Sequence, residues 1–203
     1  MDNKNIVHIG LPKGRFLAKS TALEKAFQEH MAEKEFPLHF YYLKARDIPN
    51  LVHRGKLTYG VTCDEWVVES GVQLRCICDT GWCYSRILLI SQNDDFTLTN
   101  ESQVASPFPH LTNAFFESQD QHPVVEEVTG SGEFLVPFVY DMAVDVVETG
   151  DTIARLGLKT VGKPVLQSST RVWANPAVSH PEIESLFSRI LCQDHLSQTS
   201  YTR

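Results

Sequence analysis

The chain has 203 residues, 42% of them hydrophobic and 21% charged, which is ordinary globular material and enough for one large domain or two small lobes. Its 25 acids outweigh its 18 Lys and Arg for a net charge of −7, and no long basic run occurs, so a nucleic acid or a membrane surface is a poor partner. No apolar run approaches the roughly 18 residues of a spanning helix, the N-terminus lacks the layout of a leader peptide, and five cysteines, an odd number, suit reduced thiols in the cytoplasm.

Along the chain, Ile6 to Leu11 alternates loosely and stops at Pro12-Lys13-Gly14, which predicts a first strand. Phe16, Leu23, Phe27 and Met31 then recur on one helical face. Leu38 to Lys44 predicts a second strand, and Asp47-Ile48-Pro49 a capped helix that stops at Gly55. Tyr59 to Thr62 predicts a buried strand, followed by a helix capped by Asp64 and running through Val68. Cys76-Ile77-Cys78 lacks the two-residue gap of a zinc knuckle; on an alternating strand the two thiols share a face, the usual setting of buried free cysteines. No metal ligands are assigned.

Arg86 to Ser91 predicts a further strand, and the polar stretch Gln92 to Ser102 a crossing point between lobes. Strands at Gln103–Ser106 and Val124–Val128 flank a helix carrying Ala114, Phe115 and Phe116. Met142–Val147 and Thr170–Ala174 predict two more strands, and Pro181 to Cys192 a final amphipathic helix. Its apolar residues Ile183, Leu186, Phe187, Ile190 and Leu191 suit a core more than a partner surface, and the polar tail after Gln193 is expected to fray. Strands alternating with helices imply an α/β fold with mainly parallel sheets.

Two strand-to-helix turns carry the chemistry. Val144, Val146 and Val147 run into Thr149-Gly150-Asp151-Thr152, with a helix expected from Ile153. Backbone N–H groups converge in such a turn, Gly150 permits it, and the two hydroxyls add donors, which makes a phosphate cup. Asp145 and Glu148 lie just upstream, where carboxylates can hold the hydroxyls of a ribose. Phosphate donors beside ribose-binding acids describe a 5-phosphoribosyl group. The same string also reads as a plain turn capped by Thr149 and Asp151. At the other turn, Lys13 and Arg15 flank Gly14 at a helix N-terminus, an arrangement suited to a polyanion such as pyrophosphate and equally to a solvated surface. Lys44 and Arg46 add charge at the end of the second strand, and parallel sheets bind ligands beyond such ends.

Six motifs in order resemble the ATP phosphoribosyltransferases, which perform the first step of histidine biosynthesis: LPKGR (Leu11–Arg15), RDIPNLVHRG (Arg46–Gly55), YGVTCDE (Tyr59–Glu65), GSGE (Gly130–Glu133), DVVETGDTIARLGL (Asp145–Leu158) and SSTRVWANP (Ser168–Pro176). The resemblance implies two α/β lobes like those of type II periplasmic binding proteins, taken here as 1–91 with 175–203 and 92–174, with the site in the cleft. It implies transfer of the phosphoribosyl group of 5-phosphoribosyl-1-pyrophosphate (PRPP) to N1 of ATP, with magnesium accompanying the pyrophosphate. Lys13, Arg15 and Lys44 match positions that face the pyrophosphate, with Lys44 where some members have arginine. Glu148, Thr149, Gly150, Asp151 and Thr152 match the loop that holds the 5-phosphate, and Asp145 matches a ribose position. A chain ending at Arg203 resembles the short form, which implies a homodimer and a regulatory partner resembling histidyl-tRNA synthetase. Adenine N1 has an available lone pair, so no general base is assigned, and His53 is expected on a helix surface.

Departures cluster in the nucleotide half. The segment between Met31 and Leu38 is short, Cys63 replaces a glycine, Gln103–Pro109 lacks basic residues, and Gly132 replaces a branched residue. These leave open a paralogue that uses PRPP with another acceptor, or a non-catalytic two-lobed ligand-binding protein.

Overall fold

The computed structural model describes residues 6–31, 37–93 and 97–198, the last helix by its backbone alone beyond Leu191. In chain order the elements are β1 (Val7–Pro12), α1 (Leu17–Met31), β2 (Leu38–Leu43), α2 (Ile48–His53), β3 (Tyr59–Cys63), α3 (Asp64–Ser70), β4 (Arg75–Ser91), β5 (Gln103–Ser106), α4 (Pro109–Glu117), β6 (Val124–Glu127), β7 (Met142–Val147), α5 (Asp151–Arg155), β8 (Lys159–Ala174) and α6 (Pro181–Gln198). The chain divides into two compact units, residues 1–83 with 169–203, and residues 84–168.

In the first unit β1 lies between β2 and β3, parallel to both, and β8 runs antiparallel along β3. The helical face of α1 places Leu23, Phe27 and Met31 against Val7, Ile9 and Leu11 of β1 and against Ile183, Leu186, Phe187 and Ile190 of α6. The rings of Phe27 and Phe187 sit 4.6 Å apart, edge to face, at the centre of this core. Cutting either back to alanine would cost about 3–5 kcal/mol. The N-terminus of α6 is tied to the sheet, where Tyr59 donates to Glu184 at 3.0 Å and Arg75 grips the same carboxylate at 2.8 and 3.0 Å.

On the opposite sheet face, Gly10 and Gly60 are register partners. A Cβ on Gly60 would come within 2.3 Å of the Ile48 side chain, and one on Gly10 within 2.6 Å of Leu57. The two glycines therefore let α2 press directly on the sheet, which fixes the turn that leads from β2 into α2.

In the second unit β5 lies parallel to β6 and β7, and β4 runs antiparallel to β7 with Leu88 opposite Asp145. Leu88, Ile90, Ala105, Val136, Ala143, Val147, Ile153 and Leu158 form its core. Each unit is thus a mixed α/β layer built on parallel strands, the class expected.

Several expectations need correction. β4 and β8 are far longer than the strands read at Arg86–Ser91 and Thr170–Ala174, and both run from one unit into the other. The units accordingly change at 83/84 and 168/169, whereas the lobes were drawn to change at 91/92 and 174/175. Within the expected crossing stretch, 94–96 lie outside the described residues, as do 32–36 of the short segment before Leu38. α5 opens at Asp151, not Ile153, and α6 continues past Gln193 to Gln198; 199–203 lie outside the described residues. Cys76 is exposed and Cys78 half-buried, the latter packed with Ile77 and Trp82 against the core of the first unit. Neither Asp47 nor Asp64 caps a helix through its side chain. Among the described residues no helix is long and apolar enough to cross a membrane.

Candidate functional site

In the first unit the parallel strands β1, β2 and β3 end on one edge, and their exits collect the cations. Register pairs Pro12 with Leu43, and the Lys13 N–H donates to the Leu43 carbonyl at 2.8 Å. Lys13 and Lys44 thus leave the sheet side by side, both exposed and both with extended backbones. Gly14 has φ +74° with open space around it, so glycine is required there by conformation, not by crowding. The turn is anchored by Ser20, whose hydroxyl donates to the Pro12 carbonyl at 2.7 Å. Arg15 is exposed, with its guanidinium 4.7 Å from the centre of the Phe16 ring. Arg46 lies in the 3-10 turn Ala45–Asp47, held by Thr62 donating to the Ala45 carbonyl at 2.9 Å.

Beside these cations the edge is more complex than expected. The Asp64 carboxylate accepts from the Ser169 N–H at 3.0 Å and lies 3.5 Å from Arg171, which also reaches Asp79 at 3.5 Å. Ser169 donates its hydroxyl to Asp79 at 2.5 Å. Burial raises the Asp64 carboxyl above its ordinary value, and its Oδ1 is buried without a hydrogen-bond partner among the described residues. Cys63, in the position where a glycine was expected, is buried against Thr170, and burial pushes its thiol up to about 12 despite the nearby charge of Arg15. A thiol held neutral in this way is no nucleophile.

In the second unit β7 ends at Val147 and the chain turns through exposed Glu148 and Thr149 into Gly150, at φ +85°. The Thr149 hydroxyl donates to Asp151 Oδ2 at 2.8 Å and accepts from the Asp151 N–H at 3.4 Å. Thr152 lies in the first turn of α5, whose leading N–H groups have no acceptor within the helix. The chain thus passes from strand to short helix through a left-handed glycine, and the Thr149–Asp151 pair of the capping reading is present in the turn.

Asp145 sits on β7, half-buried, with Oδ1 accepting from the Val146 N–H at 2.7 Å. Its neighbour is a residue that the sequence reading quoted in a motif and did not assign, Glu133. The 3-10 turn Gly132–Leu135 lies on β5 and β7 so closely that a Cβ on Gly132 would stand 3.4 Å from Ala105 and 3.5 Å from Ala143. The packing of this turn carries Glu133 onto Asp145. Burial, then the hydrogen bond with Glu133, raises Asp145 to about 7, while N–H donors from Val146 and Gly132 pull the other way. The Glu133 Oε2 atom is buried without a hydrogen-bond partner among the described residues. The only local signal was GSGE itself.

At Gln103–Pro109 apolar and neutral groups fill the space where basic residues were expected. Val104, Ala105, Ser106 and Phe108 are buried, and Ser106 accepts the Phe108 N–H at 2.9 Å as α4 opens. His53 is exposed at the end of α2, and no cluster of three or more metal-binding side chains occurs among the described residues.

The family model of ATP phosphoribosyltransferase matches residues 44–191. The ATP phosphoribosyltransferase of Alkaliphilus metalliredigens is 28% identical, covering 92% of this chain and 97% of its own length. That of Natronomonas pharaonis is 34% identical over 71% of this chain, which spans only 53% of that relative. Among solved structures, a chain of the ATP phosphoribosyl transferase (HisG:HisZ) complex from Thermotoga maritima superposes with a TM-score of 0.81 at 20% identity, covering 93% of this chain and 98% of that one. The substrate-binding protein of an amino acid ABC transporter matches with a TM-score of 0.60 at 9% identity, over 96% and 94% of the two chains, so the fold is of the periplasmic-binding-protein type.

Proposed function

The chain belongs to the ATP phosphoribosyltransferase family, and on that basis we propose that it transfers the 5-phosphoribosyl group of PRPP to N1 of ATP with release of pyrophosphate, the first step of histidine biosynthesis. The observation that carries the reading is the turn Thr149–Thr152 at the end of β7, with Asp145 on that strand and Glu133 brought to it by the 3-10 turn Gly132–Leu135. Backbone donors of the turn and the hydroxyls of Thr149 and Thr152 take the 5-phosphate; Gly150 permits the turn; Asp145 takes the ribose hydroxyls. Glu148 and Asp151 belong to this loop through their backbones.

The reaction forms a bond from adenine N1 to the anomeric carbon and breaks the bond from that carbon to the pyrophosphate oxygen. Positive charge grows on the sugar and negative charge on the leaving group. Lys13, Arg15 and Lys44 supply fixed positive charge for the pyrophosphate, so catalysis is positioning and charge stabilisation without a general base. Lys44 contributes a point charge where a guanidinium would offer a fork. Magnesium would accompany the pyrophosphate and neutralise part of its charge. We assign the protein to the cytoplasm, as a homodimer working with a regulatory subunit, a reading supported by its similarity to a chain of the HisG:HisZ complex from Thermotoga maritima.

One observation favours a second reading. The segment Gln103–Pro109 presents buried apolar and hydroxyl groups and no cation, which suits an acceptor less anionic than ATP. One assay separates the two. With PRPP, magnesium and ATP the protein should release pyrophosphate; release with another acceptor and none with ATP would move the chain to the second reading. No binding of PRPP at millimolar concentration would remove both.

A further inference from the structure

We propose that the Glu133–Asp145 pair holds one proton in the free protein and releases it to solvent when the ribose of the donor binds, so that donor binding is coupled to pH. The inference rests on the donor site assigned under Proposed function. Its ground is geometric. Two carboxyl groups in hydrogen-bond contact cannot both be ionised without a further donor, because like charges at that distance repel. The backbone offers Asp145 two donors, the N–H groups of Val146 and Gly132, and leaves Glu133 Oε2 buried without a partner among the described residues. The pair therefore lacks one hydrogen, and a shared proton supplies it. The raised titration of Asp145 agrees with that account.

The charged groups on the elements around Asp145 do not supply an alternative. The 3-10 turn brings Glu133; β4 places Leu88 opposite, with exposed Arg86 two pairs further along, opposite Val147; β5 contributes Val104 and Ala105. Beyond the strand end lie exposed Glu148, Asp151 and Arg155. A ribose carries two vicinal hydroxyls, each able to donate to one carboxylate. When they arrive, two O–H donors replace one shared proton, the pair goes from one negative charge to two, and one proton passes to water. The doubled charge then lies beside the sugar, where positive charge develops during transfer.

The test is calorimetry of PRPP binding in buffers of different ionisation enthalpy, at several values of pH, on the wild type and on Glu133→Gln. The variant keeps a hydrogen-bond donor to Asp145 and has no proton to share, and the phosphates of the donor titrate identically in both. Below neutral pH the wild type should release up to about one proton more than the variant, and its affinity should fall by as much as about tenfold per pH unit relative to the variant. Above about pH 8.5 the difference in proton release should vanish and the ratio of the two affinities should stop changing with pH. Equal proton release at every pH would overturn the inference and leave the donor site standing; no binding by either protein would remove both. Should the variant fail to fold, 13C-carboxyl NMR of the wild type decides. A side-chain carboxyl that titrates near neutral pH in the free protein and loses that titration with PRPP supports the inference, and an unchanged titration overturns it.

Discussion

Two turns of the same construction differ in what they can offer a ligand. At Pro12–Phe16 and again at Val147–Asp151 a parallel strand ends, a glycine takes a positive φ, +74° at Gly14 and +85° at Gly150, and a helical turn begins. Neither glycine is crowded, so both are required by backbone conformation. The first turn carries Lys13 and Arg15 with Lys44 beside it, and continues into the long α1. The second carries no cation before Arg155, places two exposed acids in the loop, and continues into a helix of five residues. One turn can hold an anion by net charge; the other must do so with backbone N–H groups and hydroxyls. Charge acts most strongly where charge changes, whereas a cup of fixed donors grips a phosphate equally before and during the reaction.

Substituting each turn separately sharpens that contrast. Arg15→Ala should lower kcat by roughly 10²–10³, the usual loss on removing one group that stabilises developing negative charge, with little change in melting temperature because the side chain is exposed. A drop of tenfold or less would place Arg15 outside the leaving-group site. Thr149→Val should act on the other quantity, raising KM for PRPP roughly tenfold, the worth of about one hydrogen bond, and leaving kcat close to wild type. The opposite pattern in the two variants would mean that the phosphate sites are exchanged.

A stability measurement probes Asp145, on β7 just before the second turn, without any substrate. Asp145 titrates near 7 in the folded protein against an ordinary 3.8, so between those values the folded state binds more protons than the unfolded state. Stability from this group is therefore greatest at the acid end and declines as pH rises from about 4 to about 7. Asp145→Asn removes the decline. The variant should match the wild type near pH 4 and exceed it at pH 8 by about 1–2 kcal/mol, after allowance for the half-exposed carboxyl, or roughly 2–8 °C in Tm. A constant difference at every pH would show that the carboxyl is not destabilised by ionisation.

What was legible in the sequence follows the same division between local and distant causes. β1 with α1 and β7 with its glycine turn were readable because period, glycine and hydroxyls act within a few residues. The first halves of β4 and β8 were not. Gly81 and Gly162 stand inside them with positive φ, and Pro164 adds a signal that ordinarily ends a strand, yet pairing carries the ladder through. Asp64 looked like a helix cap, and the Ser169 N–H, 105 residues away in sequence, took its carboxylate instead. Glu133 was hidden for a similar reason: its meeting with Asp145 depends on Gly132 lying flat on Ala105 and Ala143, which no local pattern announces.

The smallest expected effect bears most directly on how the acidic turn works. The Thr149 hydroxyl gives its hydrogen to Asp151 Oδ2 at 2.8 Å, so the donor we assign to the 5-phosphate is engaged by a carboxylate. To serve the phosphate, the hydroxyl must leave that partner, and the exposed charge of Asp151 remains close by. Asp151→Asn keeps an oxygen for the Thr149 hydroxyl and removes the negative charge. Screening at an exposed site limits the gain to about 0.2–1 kcal/mol, so KM for PRPP should fall by about 1.4- to fivefold while kcat stays unchanged. The effect should shrink as salt is raised, because it is electrostatic. A KM that rises in Asp151→Asn would mean that the carboxylate organises the turn more than it opposes the ligand, and the second turn would then owe its phosphate grip to the Thr149–Asp151 pair itself.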